Sequence, residues 1–97
     1  MNSAVVVDCC RTPIGRAHPE KGVFRDVRSD DLAVAVLSQL IQRTGIDPAE
    51  IEDVLLGNTQ QQMEQGFNIA RIVSLMAGLP SSAGGVTINR LCGSSLQ

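Results

Sequence analysis

The sequence predicts an α/β fold built on a parallel sheet. Short apolar runs of strand length alternate with longer segments of helical periodicity, in the order strand, helix, strand, helix, strand. The first run, Val5-Val6-Val7, is continuously apolar, as parallel strands covered on both faces are. At 97 residues there is room for one small domain, and 43% hydrophobic with 19% charged residues is the composition of a chain with a core.

Ala4 to Cys10 is the first predicted strand, stopped by Thr12-Pro13 and Gly15, and residues 11–28 form a long polar loop. A helix follows: Ser29 or Asp30 is placed to cap it, Asp30 and Asp31 put negative charge on its first turn, and Arg43 with Gly45 end it. Ala33, Val36, Leu37 and Leu40 share one helical face, while Leu32, Val34 and Ile41 widen the apolar surface until coverage on most sides is expected. Asp47-Pro48-Ala49-Glu50 has the form of a capping box with proline at the first helical position. It makes one short turn before the second strand, Val54-Leu55-Leu56, which Gly57-Asn58 ends. A glutamine-rich loop through Gly66 leads to the second helix, Asn68 to Ala77, with Ile69, Ile72, Val73 and Met76 on one face and Gly78, Leu79 and Pro80 as stop signals. Met63 and Met76 are ordinary core candidates. Ser81 to Gly85 reads as a turn and Val86 to Asn89 as the third strand; Leu91 to Ser95 opens a further helix at which the sequence stops. Right-handed crossovers join such strands, and too few elements are present to cover both faces of the sheet.

Composition narrows the function. With no Trp or Tyr, only Phe24 and Phe67, and a net charge of -2, there is little to stack bases and no field for phosphate backbones. No apolar run approaches the roughly 20 residues that cross a bilayer, and Met1 to Asp8 lacks the basic and long apolar regions of a signal peptide, so a cytoplasmic protein is expected. Three cysteines, two of them adjacent, make no disulfide framework. Cys9 and Cys10 would point to opposite faces of a strand, with no second pair at ligand spacing, so no metal site is expected.

Cys92 is the residue best placed for chemistry. A thiol where a strand gives way to a helix meets unpaired backbone N–H groups and the positive end of the helix dipole, which favour a thiolate. Gly93 lets a substrate approach the backbone, and the amides that follow can face an oxyanion formed when Cys92 attacks a carbonyl. The competing reading is a buried, inert cysteine. His18, the only histidine, has nothing in its sequence surroundings to tie it to Cys92. Arg11, Arg16, Arg25 and Arg28 gather around one loop and could meet phosphates, although exposed arginines are more often simply solvated. Gly84-Gly85 lacks both the GxGxxG spacing and the Walker lysine of a phosphate loop.

The segment Asn89-Arg90-Leu91-Cys92-Gly93-Ser94-Ser95-Leu96-Gln97 resembles the nucleophile segment of thiolases. Val7-Asp8 with Arg11-Thr12-Pro13-Ile14-Gly15-Arg16 is similar to that family's first strand and loop, and Gly57-Asn58, Asn68-Ile69-Ala70-Arg71 and Ala77-Gly78-Leu79-Pro80 to its second βα unit. Within the family, Glu64-Gln65-Gly66-Phe67-Asn68-Ile69-Ala70-Arg71 together with residues 89–95 most resembles the thiolase subunit of bacterial fatty-acid β-oxidation complexes.

The resemblance implies 3-ketoacyl-CoA thiolysis, with Cys92 as the acyl-thioester nucleophile, coenzyme A as co-substrate and no permanently bound cofactor. Acid and base would come from Gly-His-Pro, Cys-x-Gly and Asn- or His-Glu-Ala-Phe motifs of the family's C-terminal half, none of which occurs in these residues. CoA contacts lie largely in a loop domain beyond residue 97, so no cofactor-binding position is assigned. The implied fold is the thiolase N-terminal layer, a mixed five-stranded sheet of order 3-2-1-4-5. Residues 1–97 form a partial domain that supplies strands 3, 2 and 1 and ends at the start of the nucleophile helix. Val5-Val6-Val7 would then be an open apolar edge, from which self-association is expected. A homodimer through the third strand, or a β-oxidation complex subunit as partner, is also implied. Two alternatives stand beside this: a condensing enzyme of the same superfold, and a non-catalytic structural or interaction piece.

Overall fold

The computed structural model describes residues 2–97. Helix α1 spans Ser29–Thr44, strand β1 Asp53–Gly57, helix α2 Ile69–Met76 and strand β2 Gly84–Ile88, with single 3-10 turns at Pro48–Glu50, Met63–Gln65 and Ser94–Leu96. The strands pair in parallel, Asp53 opposite Gly84 through Gly57 opposite Ile88. Gly84 N–H to Glu52 O (2.8 Å) and Asn58 N–H to Ile88 O (2.9 Å) extend the pairing at both ends. The predicted second and third strands are thus neighbours, joined by a helix.

Helix α2 forms because its buried face, Ile69, Ala70, Val73 and Ser74, follows helical spacing and lies against β2. The fit is tight at Gly85, where a Cβ would stand 2.7 Å from Arg71 N and 2.9 Å from Arg71 Cα. This explains why β2 begins two residues before the predicted Val86. The two glycines read as a turn are the part of the strand over which the helix passes. The Arg71 guanidinium then donates to the carbonyls of Ala83 and Ser81, fastening the α2–β2 connection. Ile69, Ala70, Val73, Leu79 and Ala83 are the buried apolar core.

The N-terminus of α2 is satisfied from the neighbouring strand. Asn68, at a left-handed φ of 54°, makes no side-chain cap bond to its own helix. Instead Thr87 Oγ accepts from Ala70 N–H (3.2 Å) and donates to Asn68 Oδ1 (2.7 Å), while Asn68 Nδ2 donates to Gly85 O (2.9 Å).

Helix α1 ends as expected on Gly45, at φ 67°, whose N–H bonds Ile41 O. Its start differs from expectation. Arg28 is the N-cap, and neither Ser29 nor Asp30 caps, because both are engaged elsewhere. Arg28 binds Asp30 with two hydrogen bonds (3.0 and 2.9 Å), and Glu64, from the loop before α2, accepts from both Ser29 N–H and Ser29 Oγ at 3.0 Å. These contacts hold the Asp30 and Glu64 carboxyls below their ordinary range, Asp30 through the Arg28 hydrogen bond and Glu64 through the donors of Ser29. The cover expected over α1 is incomplete: Asp30 is its only buried residue, and the apolar stripe is half-buried. At Asp47 the predicted short turn forms with Pro48 at its start and Oδ1 accepting from Ala49 N–H at 3.0 Å, but the reciprocal Glu50 bond of a capping box is not made.

The predicted first strand, Ala4 to Cys10, is not formed. Residues 2–18 carry no regular secondary structure, and the side chains of Val5, Val6 and Val7 stand exposed, Val6 at 91%. The segment is tied to α1 rather than to the edge of β1. Arg43 pairs with Asp8 at 3.1 Å and reaches Cys9 O, and the Cys10 thiol donates to Val36 O at 3.5 Å. Apolar clefts of about 390 and 580 Å³ remain, one among α1, β1 and α2 and the other between α1 and this segment. The radius of gyration is accordingly 14.2 Å, above the roughly 13 Å of a close-packed domain of 100 residues. Met63 and Met76 also depart from expectation as core residues, at 94% and 50% exposure. Met63 sits on a left-handed turn that aims it outward.

Candidate active site

In a parallel sheet the strands present their carboxyl ends on one side, and open α/β sheets bind ligands there. The carboxyl end of β1 leads into Gly57-Asn58-Thr59-Gln60 and that of β2 into Asn89-Arg90-Leu91-Cys92. Thr59, Gln60, Leu91 and Cys92 line one open depression of about 400 Å³. Cys92 is therefore exposed, where an inert core cysteine would be buried.

Each wall has an anchor. Asn58 holds the first: its N–H joins β2, its Oδ1 accepts from Gln60 N–H (2.9 Å), its Nδ2 donates to Gln65 O (3.1 Å), and its carbonyl accepts from Gln61 Nε2 (3.2 Å). The second wall is a tight turn. Gly93 N–H bonds Arg90 O (3.0 Å), Ser94 N–H bonds Leu91 O (3.2 Å), and Asn89 Oδ1 accepts from Leu91 N–H (3.0 Å). The buried Ser94 hydroxyl closes it, accepting from Arg90 N–H at 2.9 Å and donating to Leu91 O at 2.6 Å. Leu91 is carried at a left-handed φ of 49°.

The two walls meet at Gly57. A Cβ there would stand 2.5 Å from Ser95 Oγ, 2.7 Å from Ser95 N and 2.9 Å from the Ser94 carbonyl carbon. Only a residue without a side chain lets the Ser94-Ser95 backbone rest on the end of β1.

After Cys92 the chain makes the 3-10 turn Ser94–Leu96 where the start of a longer helix is expected. The amides of Gly93 and Ser94 bond within the turn, which removes two of the oxyanion donors expected from sequence.

The remaining candidates lie outside this depression. His18 Nδ1 accepts from Glu20 and Lys21 N–H (3.1 and 3.0 Å), making His18 the organiser of its own turn. Among the loop arginines, Arg28 is committed to Asp30 and Glu64, Arg25 to Gly22 O and Asp26, and Arg11 to Thr12 O. Cys9 is exposed and Cys10 half-buried on the N-terminal segment. Among the described residues no group of three or more His, Cys, Asp or Glu is placed to hold a metal ion, and no helix is long and apolar enough to cross a membrane. Sequence reasoning missed Ser94, Asn58 and Gly57 as parts of the site. A serine two positions after the cysteine, and a glycine-asparagine pair closing a strand, were the available signals.

Residues 4–97 match the family description "Thiolase, N-terminal domain". The chain is 54% identical over 98 aligned positions to a 3-ketoacyl-CoA thiolase of Colwellia psychrerythraea and 55% identical to one of Shewanella frigidimarina, in both cases over all of this chain and 25% of the relative. It thus spans about a quarter of the length of these curated relatives. In the crystal structure of the Bacillus anthracis acetyl-CoA acetyltransferase, a region similar to this chain superposes with a TM-score of 0.68 at 38% identity, covering 75% of this chain and 18% of that one.

Proposed function

The chain belongs to the thiolase N-terminal domain family, and from that premise we propose that it carries the nucleophile, Cys92, of a 3-ketoacyl-CoA thiolase. The Cys92 thiolate attacks the 3-keto carbon and the bond between C2 and C3 breaks. Its electron pair departs on the acetyl-CoA fragment, which is protonated at C2. The acyl group stays on Cys92 as a thioester until the deprotonated thiol of coenzyme A attacks it, releasing the shortened acyl-CoA and regenerating the thiolate.

This chain's share is presentation of the sulfur; acid and base are supplied by other segments, as the resemblance implies. The observation that carries the reading is the exposure of Cys92 on a braced turn at the carboxyl ends of both parallel strands. A fuller sheet of order 3-2-1-4-5, with residues 4–10 in its centre and a second copy across β2, belongs to the same proposal, as does a role in β-oxidation. The free outer edge of β2 supports the pairing with a second copy.

Peptide mass spectrometry after incubation with a short 3-ketoacyl-CoA tests it. An acyl adduct is expected on the Cys92 peptide, absent in Cys92→Ser. Adducts spread equally over Cys9, Cys10 and Cys92, or carried by Cys9 or Cys10 in place of Cys92, would sink the reading.

A further inference from the structure

We infer that Ser94 is a positioning residue for Cys92, holding Leu91 in its left-handed conformation so that the thiol faces the depression shared with Thr59 and Gln60. The inference rests on Cys92 being the nucleophile and adds the device that aims it.

Left-handed backbone is rare for residues other than glycine and rarer still for bulky ones, so something must offset its cost at Leu91. Burial of the leucine does not, since its side chain is 71% exposed. The polar ties of the turn remain. Leu91 N–H is held by Asn89 Oδ1, and Leu91 O by Ser94, which approaches it with both its hydroxyl (2.6 Å) and its N–H (3.2 Å). The same hydroxyl takes the Arg90 N–H, so one oxygen bridges the Asn89–Arg90 and Leu91–Cys92 peptides and spans the strained residue. Ser94 is itself only 5% exposed, and its neighbour Ser95 lies against Gly57, which fixes the hydroxyl relative to β1. Were φ at Leu91 to change sign, the following peptide would swing and carry the Cys92 Cβ away from Thr59 and Gln60. An exposed strained residue, a buried hydroxyl and an exposed thiol thus form one assembly, with the hydroxyl as its fixed point.

The test uses the full chain and iodoacetamide, timing alkylation of Cys92 against Cys9, the other exposed cysteine, in the same molecules. Cys92 is expected to lead. Ser94→Ala is expected to cut that lead about tenfold, the population change that one to two net hydrogen bonds produce. Leu91→Val, which disfavours left-handed backbone while leaving Ser94 and every buried contact in place, is expected to cut it comparably. Leu91→Asn added to Ser94→Ala is expected to restore it, because asparagine tolerates that conformation. Should Ser94→Ala fail to fold, Leu91→Val decides the question alone. A lead that survives the single variants overturns the inference and leaves the nucleophile reading standing. Equal rates for Cys92 and Cys9 in the unsubstituted chain also overturn this inference, since the braced turn then gives the thiol no advantage, while the nucleophile reading is decided by the acyl adduct.

Discussion

Replacing Gly57 by alanine puts the packing of the site on β1 to a quantitative test. The added methyl would sit 2.7 Å from Ser95 N and 2.9 Å from the Ser94 carbonyl carbon, with Ser95 Oγ at 2.5 Å. The serine hydroxyl can rotate away, but the two backbone atoms belong to a turn braced by Ser94 and cannot retreat alone. Either the turn lifts off the strand or the strand end bends, and overpacking of this kind costs about 1–3 kcal/mol. For a domain of this size 1 kcal/mol moves the melting midpoint by roughly 4–8 °C, so a cost of about 2 kcal/mol predicts a fall of roughly 8–16 °C. Helix ellipticity followed with temperature in dilute solution measures it. Gly78→Ala is the control: that position has φ 85° but no atom within 4 Å of the added methyl, so only conformational strain is introduced. A Gly57→Ala midpoint equal to that of the parent chain would refute the close approach.

Thr87→Val removes the hydroxyl that accepts from Ala70 N–H, and Ala70 is fully buried, so the stranded amide costs about 1–3 kcal/mol, visible as a lower urea midpoint. Asp30 and Glu64 are held below their ordinary range in the folded chain, so the unfolded chain binds more protons. Their contribution is present in full above the ordinary carboxylate range and is lost as pH falls through the depressed folded values. Urea midpoints measured downward from neutral pH should therefore fall on the acid side, and less steeply in Glu64→Gln. The exposed Val5-Val6-Val7 run predicts self-association, which sedimentation velocity should show decreasing in Val6→Lys.

The two helices and the strands around Val54 and Val86 were legible in the sequence because local signals agree with the fold there, while the adjacency of the strands followed from the order that the thiolase resemblance implies. The αL stop at Gly45, the turn at Asp47 and the apolar face of α2 each need only neighbouring residues. What was not legible depends on contacts distant in sequence. Glu64 serves the start of α1 from 35 residues away, and Thr87 serves α2 from 17. The valine run at residues 5–7 has strand composition, yet a strand exists only when its ladder forms, and Asp8 and Cys10 are held on α1 instead. At the site, Cys92 and its place after a strand were readable, whereas the bracing by Ser94 and the seat on Gly57 required three dimensions. The expectation of a helix after Cys92 rested on Leu91 to Ser95 as a helix entry and on the thiolase resemblance, and these residues make a single 3-10 turn instead.

The central claim, that Cys92 is a nucleophile shaped to meet a 3-ketoacyl-CoA, is tested most directly by substrate protection. The three cysteines are alkylated in the presence and absence of a 3-ketoacyl-CoA and resolved by peptide mass spectrometry. Protection confined to Cys92, with Cys9 and Cys10 labelled as before, is the predicted result. Protection shared equally by the three cysteines, or confined to Cys9 and Cys10, would contradict the account.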